Sequence, residues 1–175
     1  MEITTPKPEA TNKASINWQE FSVTADEIVN FKQPGIDAIT LNRIIGNEKS
    51  IIDGVLNAEG QVWILNSSGV LFGENARVNT AGLLATTKEL SDQDFMDGNY
   101  NFSGDSQQAV INRGKINISD AGYAALFGKE AVNEGVIRAE LGEIHLKGGK
   151  KFSLNLNGNS MINLTVTEGE LDALV

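Results

Sequence analysis

Three aspartates, Asp92, Asp94 and Asp97, stand just before Gly98 and are the densest set of possible metal ligands in the sequence. Carboxylates at alternate positions ahead of a glycine are typical of calcium loops. An EF-hand would also need aspartate or asparagine two residues after Asp94, where this chain has Met96. The spacing therefore does not support a calcium loop, and we expect neither a metal nor another cofactor.

The sequence also has few residues that could act as the nucleophile or the base of a hydrolytic enzyme. The chain has no cysteine, and its single histidine, His145, lies between Ile144 and Leu146. If this segment is a strand, alternation turns His145 away from the face of its two neighbours, and no second histidine can complete a zinc set. The Gly-x-Ser-x-Gly motif of serine hydrolases is absent as well.

A polysaccharide lyase is the enzyme class that needs the closest inspection. It would combine acidic residues that hold a cation with a basic residue that takes a proton. Asp37, Asp53 and Arg43 are near enough in sequence for such a site, but pairing of surface charges explains them equally well. We therefore expect that the chain is not an enzyme, and the lyase stays a less favoured alternative.

The charge of the chain excludes another class of partner. Acidic residues number 23 against 14 basic ones, which gives a formal charge of −9 that repels phosphate backbones. Lys147, Lys150 and Lys151 lie around two glycines, but the segment lacks the strand, loop and helix of a P-loop. A solvated turn accounts for these lysines, so we expect no nucleic acid and no nucleotide as partners.

The sequence pattern predicts short strands separated by tight turns, and these elements would position any functional site. Asparagine and glycine, which tolerate positive φ, recur together as turn signals. These signals occupy residues 57–60, 66–69, 79–82, 112–114, 133–135 and 157–158. Between them, apolar residues occur at every second position, as in Phe152, Leu154 and Leu156 or Ile162, Leu164 and Val166. This alternation predicts strands with one buried face.

The strands and turns repeat with a period close to 20 residues. Residues 110–116 (Val-Ile-Asn-Arg-Gly-Lys-Ile) align with residues 131–137 (Ala-Val-Asn-Glu-Gly-Val-Ile) at a spacing of 21. Gly60 and Gly82, each before an apolar run, lie 22 apart. Such a period without a helical pattern predicts a solenoid of roughly seven parallel coils in one soluble domain, residues 1–175. A β-sandwich with irregular hairpins is the alternative, because Asn-Gly turns also join antiparallel strands.

Two segments interrupt the repeat. Residues 1–14 are polar and contain Pro6 and Pro8, which predicts a lead-in that is either frayed or a partial cap. Residues 88–108 are acidic and lose the alternation, which predicts an excursion that leaves the coil and returns to it. Loops of this kind often carry specificity.

Several segments together resemble a known family, the haemagglutination-activity domain that directs two-partner secretion (TPS). The segments that carry the resemblance are residues 16–23, 28–34, 41–44, 52–73, 76–86, 122–128, 133–137 and 162–166. They occur in the family's order and cover about residues 12–169. The family includes filamentous haemagglutinin-like and high-molecular-weight adhesins, and residues 52–73 are most similar to the high-molecular-weight branch. One motif differs, since the family's Asn-Pro-Asn-Gly-Ile/Val stands here as Asn66-Ser67-Ser68-Gly69-Val70. The turn is expected to survive, because asparagine and glycine still supply the special backbone angles and serine can bond locally.

The resemblance implies an all-β, right-handed parallel β-helix with an extra-helical excursion. It also implies the N-terminal secretion domain of a large exported adhesin, recognised by an outer-membrane barrel transporter of the Omp85 type with periplasmic domains. The expected location is secreted or at the cell surface by way of the periplasm, with a signal peptide outside this sequence, and the expected state is a monomer. A module that binds a host glycan or receptor is the competing hypothesis.

Under this interpretation, seven residues are candidates for transporter recognition or for nucleation of the first coils. They are Asn42, Arg43, Asn66, Ser67, Ser68, Gly69 and Val70. The alternative is that they serve only as turn and packing residues, and the sequence gives the two interpretations equal support.

Overall fold

The protein winds into a parallel β-helix, seen in a computed structural model that describes residues 1–5 and 12–168. Each coil has up to three short strands, and equivalent strands of successive coils pair in parallel to form three stacks. The first stack contains β1 (Glu2–Thr4), β3 (Ile28–Lys32), β6 (Val55–Ala58) and β14 (Val136–Ala139). The second contains β2 (Lys13–Trp18), β4 (Ile39–Ile44), β7 (Gln61–Leu65) and β15 (Glu143–Gly148). The third contains β5 (Ser50–Ile52), β8 (Val70–Phe72), β11 (Val110–Asn112) and β13 (Ala131–Asn133).

Two long strands run through both of the first two stacks. They are β9 (Arg77–Thr86) and β12 (Lys115–Gly128), whose first halves pair in the first stack and whose second halves pair in the second. A shift of register between Ile118 and Tyr123 marks the corner in β12. Counting along the first stack, β1, β3, β6, β9, β12 and β14 give six coils in the described residues.

The register agrees with the sequence repeat. Val110 pairs with Ala131 and Ile116 pairs with Ile137, as the repeat predicts. Inside the coil the alternating apolar side chains stack into one aliphatic core, which includes Leu56, Val78 and Ile116 directly above one another. The prediction of a parallel β-helix is confirmed, and the β-sandwich alternative is wrong.

The excursion of residues 88–108 lies on the outer face of the second stack. It contains the short helix α1 (Asp92–Asp97) and strand β10 (Asn101–Ser103), and the chain re-enters the coil at β11. The apolar pattern of the sequence gave no indication of the helix. The boundaries 88 and 108 remain a prediction, as does the division into one domain.

The C-terminal strands differ from the expectation of a further parallel coil. Strands β16 (Lys151–Asn157) and β17 (Ser160–Glu168) form an antiparallel hairpin, and β10 pairs with β16 to complete a three-stranded sheet. The side chain of Phe152 stacks on those of Phe102 and Phe127, with ring centroids 4.4 and 4.0 Å apart. Alternation of apolar residues predicted the strands correctly, but it is the same in a coil and in a hairpin. The chain therefore has six described coils where about seven were predicted.

Of the predicted lead-in, residues 1–5 and 12–14 are described. Strand β1 pairs in parallel with β3, and β2 begins at Lys13. Pro6 and Pro8 lie outside the described residues, so the prediction of a frayed end or cap stays untested.

A row of asparagines runs along the outer face of the first stack. Four successive coils place an asparagine at the same register position, and each side-chain amide donates a hydrogen bond to the previous one. The donors and acceptors are Asn57 to Asn30 (2.9 Å), Asn79 to Asn57 (2.8 Å) and Asn117 to Asn79 (3.1 Å). The register continues to Glu2 at one end and to Arg138 at the other.

The charges at the two ends have the favourable sign. All amide N–H groups of the ladder point towards the N-terminal coil, where Glu2 occupies the next position, and all carbonyl oxygens point towards Arg138. Aligned amide dipoles are stabilised by an anion at the N–H end and a cation at the carbonyl end, as in a helix. The ladder thus adds directional polar contacts on the outside of a core that is apolar inside.

The asparagine ladder predicts that the loss of stability on substitution scales with the number of hydrogen bonds removed. Asn79→Ala removes two side-chain hydrogen bonds and Asn117→Ala removes one, each with a net value of about 0.5–1.5 kcal/mol. Urea unfolding should therefore show about twice the loss of unfolding free energy for Asn79→Ala. Equal losses for the two variants would mean that the amides do not act as a connected row.

Candidate functional site

A cleft of about 660 Å³ separates the coil from the excursion. Its coil side is formed by the turns that follow β4 and β7, and its other side by residues 88–94 and by β10. Two of the seven candidate residues, Arg43 and Ser67, line this cleft. The other five lie near it in the chain but do not line it.

Arg43 joins the coil to the excursion. Its position on β4 turns the side chain outwards, where one guanidinium nitrogen, Nη1, donates to Asn17 Oδ1 (3.1 Å) and to Asp92 Oδ1 (2.8 Å). The other, Nη2, donates to the Leu90 carbonyl oxygen at 2.5 Å. The side chain keeps 20% of its surface exposed. The hydrogen bond from Arg43, followed by one from Ser15, holds the pKa of Asp92 below its usual value.

The helix that receives Arg43 is short but capped at both ends. The backbone N–H of Asp94 donates to Ser91 Oγ (3.1 Å), and Ser91 Oγ donates in turn to Asp94 Oδ2 (2.8 Å). Gly98 ends the helix in the left-handed region of φ, where glycine is favoured because it has no side chain. A serine three residues before an acidic residue is a capping signal, and this signal could have located the helix. The three aspartates therefore belong to a helix and not to a calcium loop.

Asn42 is a core residue. Its side chain is fully buried, and its Nδ2 donates to the carbonyl oxygens of Thr40 (3.3 Å) and Trp63 (3.2 Å). Its Oδ1 accepts a hydrogen bond from Trp18 Nε1 at 3.0 Å. Asn42 thus ties together three successive coils, and no face of it is available to a partner of the folded domain.

Asn66 organises the turn that replaces the family motif. Its side chain is 1% exposed, and Nδ2 donates to the Glu48 carbonyl oxygen (2.9 Å) and to Ser50 Oγ (3.0 Å). Its Oδ1 accepts from the backbone N–H of Ser68 (2.9 Å), and its carbonyl oxygen accepts from Gly69 N (3.0 Å). These two bonds close a tight turn of residues 66–69, as the sequence predicts.

The remaining turn residues have distinct positions. Gly69 has a strongly positive φ, which an L-residue adopts only with strain. Val70 is buried at the start of β8 and pairs with Ser50 and Val110 of the adjacent coils. Ser67 is exposed and its carbonyl oxygen accepts a hydrogen bond from Ser106 Oγ at 2.6 Å, whereas Ser68 is half-buried. The turn therefore receives the returning end of the excursion.

An aromatic cluster that the sequence analysis missed holds the excursion in place. Trp63 points outwards from β7 in register with Leu41 and Leu84, and its ring contacts those of Phe95, Tyr100 and Phe102 at centroid distances of 5.5, 4.8 and 5.7 Å. Every residue of β7 is buried, because one face meets the core and the other meets the excursion. An unbroken apolar run in place of alternation was the available signal.

The polar atoms of this cluster are satisfied. Trp63 Nε1 donates to the Tyr123 hydroxyl oxygen (2.6 Å), and that hydroxyl donates to Gln61 Oε1 (2.7 Å). Gln61 Nε2 then donates to the Gly158 carbonyl oxygen in the hairpin (3.0 Å). Burial raises the pKa of Tyr123. These hydrogen bonds thus join strands β7 and β12 of the coil to the hairpin.

Lys88 closes the excursion at its base. The residue is buried, and Nζ donates to the carbonyl oxygens of Gly104 (2.9 Å) and Ser106 (3.1 Å). Burial lowers the pKa of Lys88, an effect that the nearby Asp105 opposes. The start and the end of the excursion are therefore joined by one side chain.

The residues considered for catalysis do not share a site. Arg43 contacts Asp92, and Asp53 accepts hydrogen bonds from the backbone and side chain of Asn75. His145 points away from Ile144 and Leu146, as predicted, and its Nε2 lies 2.7 Å from Glu143 Oε2. In residues 1–5 and 12–168 no three histidine, cysteine or acidic side chains are grouped closely enough to hold a metal ion. Among the described helices none has the length and apolar character needed to cross a membrane.

Comparison with solved structures defines the class of this fold. The chain is similar to the crystal structure of the HMW1 secretion domain from Haemophilus influenzae, with a TM-score of 0.82 and 30% sequence identity. The match covers 90% of this chain and 42% of that one. The β-helix is therefore that of a secretion domain.

The family follows from the sequence. The family model of the TPS secretion domain matches residues 2–173, and the chain belongs to this family. A heme/hemopexin-binding protein of Haemophilus influenzae strain Rd is 32% identical over 178 residues, which cover 94% of this chain and 19% of that protein. A second heme/hemopexin-binding protein of Haemophilus influenzae is 39% identical over 95 residues, 54% of this chain and 10% of its own length. This chain thus spans about a fifth or less of the curated relatives it matches.

The Asn66 turn gives a prediction on stability. Asn66→Ala leaves the Glu48 carbonyl oxygen and the Ser50 hydroxyl without their buried donor, which should cost about 1–3 kcal/mol of unfolding free energy. Ser67→Ala is the matched control, because its exposed side chain should change stability by less than about 0.5 kcal/mol. Urea unfolding of both variants measures the difference. A loss for Ser67→Ala as large as that for Asn66→Ala would contradict this account.

The contact between Arg43 and Asp92 gives a prediction on pH. Because the folded state lowers the pKa of Asp92, its contribution is present above the unfolded value of about 3.9 and is lost as pH falls through the lower folded value. Unfolding by urea at pH 6, 4 and 3 should show a smaller acid loss for Asp92→Asn than for the unaltered chain. The effect is small, because more than half of the Asp92 side chain is exposed to screening solvent. Asp97→Asn, in the same helix, should behave like the unaltered chain, and identical curves for the two variants would contradict the prediction.

Proposed function

We propose that this domain directs export of a longer protein through a cognate outer-membrane barrel with periplasmic domains and then serves as the starting coil for folding at the cell surface. The membership in the TPS family supports the export role, and so does the similarity of the chain to the solved HMW1 secretion domain. The product is secreted or stays at the cell surface.

The observation that carries the folding role is the uncovered core at the last described coil. Ile144 and Leu146 of β15 stand in register with the buried Ala124 and Leu126 of β12 and face the interior, yet they are 45% and 39% exposed. Strands β13, β14 and β15 pair only with the preceding coil among the described strands. An aliphatic surface framed by unpaired strand edges is a template for a further parallel strand.

The energy available from such a template is substantial. Complete burial of one valine, leucine or isoleucine side chain is worth about 1.5–3 kcal/mol. Each added coil would cover the side chains of the coil before it and expose a new set, so folding would proceed in one direction along the axis. No nucleotide is needed in this scheme, because stepwise burial keeps the exported segment from sliding back.

The burial of the candidate residues distinguishes two modes of recognition by a transporter, one of the extended chain and one of the folded domain. Asn42, Asn66 and Val70 are at most 1% exposed, so a partner could contact them only before the first coils close. An extended segment can add to the edge of a partner's sheet through its main chain, with alternate side chains giving specificity. Arg43 and Ser67 are reachable in both states, and they are the candidates for recognition of a folded or nearly folded domain.

Secretion and stability measured together test the role of the turn. Asn66→Ala and Gly69→Ala are expressed in a form that carries a signal peptide, with the barrel transporter, and the amount of protein in the medium is compared with the unfolding free energy of the purified variants. A recognition role predicts a tenfold or greater loss of secretion at a stability that still leaves the chain folded. Secretion that falls only in proportion to stability, in a series that includes Ile116→Val as a core control away from the turn, would show that the turn residues are packing residues.

A second function, binding of a host glycan or receptor by this domain itself, is favoured by the cleft between coil and excursion. Its lining includes Asn47, Ser67, Asn101 and Ser103, whose side chains can hydrogen-bond sugar hydroxyls. The names of the two curated relatives refer to heme and hemopexin, and most of the length of those proteins lies outside the part that this chain matches. A glycan array probed with this chain decides the matter, because specific binding that Asn101→Ala abolishes would support the second function.

A further inference from the structure

We infer that the excursion of residues 88–108 is a latch on the first coil, so that strand β2 is held only after helix α1 has formed. The inference rests on the proposed export function for its biological meaning, since a chain that emerges N-terminus first would expose β2 well before α1. The structural part concerns the folded domain alone.

Within the coil, strand β2 is held by pairing with one strand and by the hydrogen bond from Trp18 Nε1 to Asn42. Among the described strands β4 is its only neighbour, and none of the residues of β2 is fully buried. Its inward side chains, Ala14, Ile16 and Trp18, are partly exposed. A terminal strand with one neighbour and a partly exposed inner face is the part of a solenoid that opens most easily.

The outward side chains of β2 make up for this deficit, because every one of them belongs to the network around α1. Lys13 Nζ donates to the carbonyl oxygens of Phe95 (2.9 Å) and Met96 (3.1 Å). Ser15 Oγ donates to Asp92 Oδ1 at 2.8 Å. Asn17 Oδ1 accepts from the same Arg43 nitrogen that binds Asp92.

These contacts match the polarity of the helix. The last carbonyl groups of a helix carry a partial negative charge, and the ammonium group of Lys13 lies against two of them. The same ammonium lies 5.7 Å from the ring centroid of Phe95 and 5.0 Å from that of Tyr100. Both separations are within the range of cation–π attraction.

Asp92, at the other end of α1, accepts from Ser15. The two ends of one helix are therefore fastened to positions 13 and 15 of the same strand.

The helix itself is anchored further along the coil. Phe95 is fully buried against Trp63 of β7, with ring centroids 5.5 Å apart, and Tyr100 meets the same ring edge-on at 4.8 Å. The latch thus connects the first coil to the third through residues that are separated from β2 by 77 to 83 positions in the sequence. Closure of the first coil depends on a segment that is made and exported much later.

The order of events can be measured on the complete chain during refolding. Pulsed hydrogen exchange with mass spectrometry follows peptides from β2, from α1 with β10, and from β12 after dilution from urea. The latch predicts that β2 amides become protected together with or after those of α1 and β10. Protection of β2 before α1 would overturn the inference.

Variants of the folded chain test the contacts themselves. Asp92→Ala and Lys13→Met should each accelerate exchange of the β2 amides roughly tenfold, the effect of one to two hydrogen bonds, and change β12 by less than about twofold. Asp97→Ala is the matched control in α1 and should leave β2 unchanged. If Asp92→Ala does not fold, Ser15→Ala removes a single hydrogen bond of the same network. Unchanged β2 exchange in these variants, or equal acceleration in β12, would overturn the latch.

Failure of the latch and failure of the export function give different results. Both exchange experiments use purified chain and need no transporter, so they stand whatever the secretion assay shows. If the unaltered chain is not secreted with any barrel transporter but the β2 results hold, the latch remains and the proposed export role falls.

Discussion

Stacking of short parallel strands, with like residues about 4.8 Å apart, is the constraint on which the rest of this structure depends. It turns a one-dimensional repeat into a continuous aliphatic core, since Leu56, Val78 and Ile116 each cover the coil before them. The same spacing brings backbones so close at the corners that a Cβ on Gly122 would collide with the Ala81 carbonyl oxygen. The turn glycines and the asparagine ladder both follow from this one geometry.

The outer face of the second stack follows a different principle. Strand β7 is buried on both sides, and an outward row made of Leu41 on β4, Trp63 on β7 and Leu84 on β9 forms a second core with the excursion and the hairpin. Two segments far apart in sequence meet there, because β10 pairs with β16. Long-range contacts of this kind close large loops and form late in folding. The domain therefore combines a core that can form coil by coil with an outer layer, made of the excursion and the hairpin, that can form only when both segments are present.

Local patterns predicted the elements that depend on neighbouring residues and missed those that depend on distant ones. Period two and the Asn-Gly turns indicated the strands, the repeat indicated the register of Val110 on Ala131, and the turn at Asn66 is where the pattern placed it. Helix α1 escaped because a single turn and a half with one buried side chain, Phe95, is too short for a helical period. The antiparallel pairing of β16 and β17 was not predicted, because alternation specifies a buried face but not a pairing partner. For the candidate site, the partners of Arg43 lie 26 to 49 positions away and no local signal names them.

Burial limits the roles of the candidate residues if a transporter binds the chain before it folds. Asn42 and Asn66 hold coils together through hydrogen bonds that exist only in the folded domain, whereas a transporter would meet their amides in an extended chain. One amide can serve both states, because its donor, which binds a buried carbonyl oxygen in the fold, and its acceptor, which binds an N–H group there, also suit a strand edge. Such a residue is constrained twice, and loss of secretion alone cannot identify which constraint was broken. Arg43 is different, since its contacts with α1 leave a fifth of its side chain exposed, and a partner could therefore reach it in the extended chain and in the folded domain.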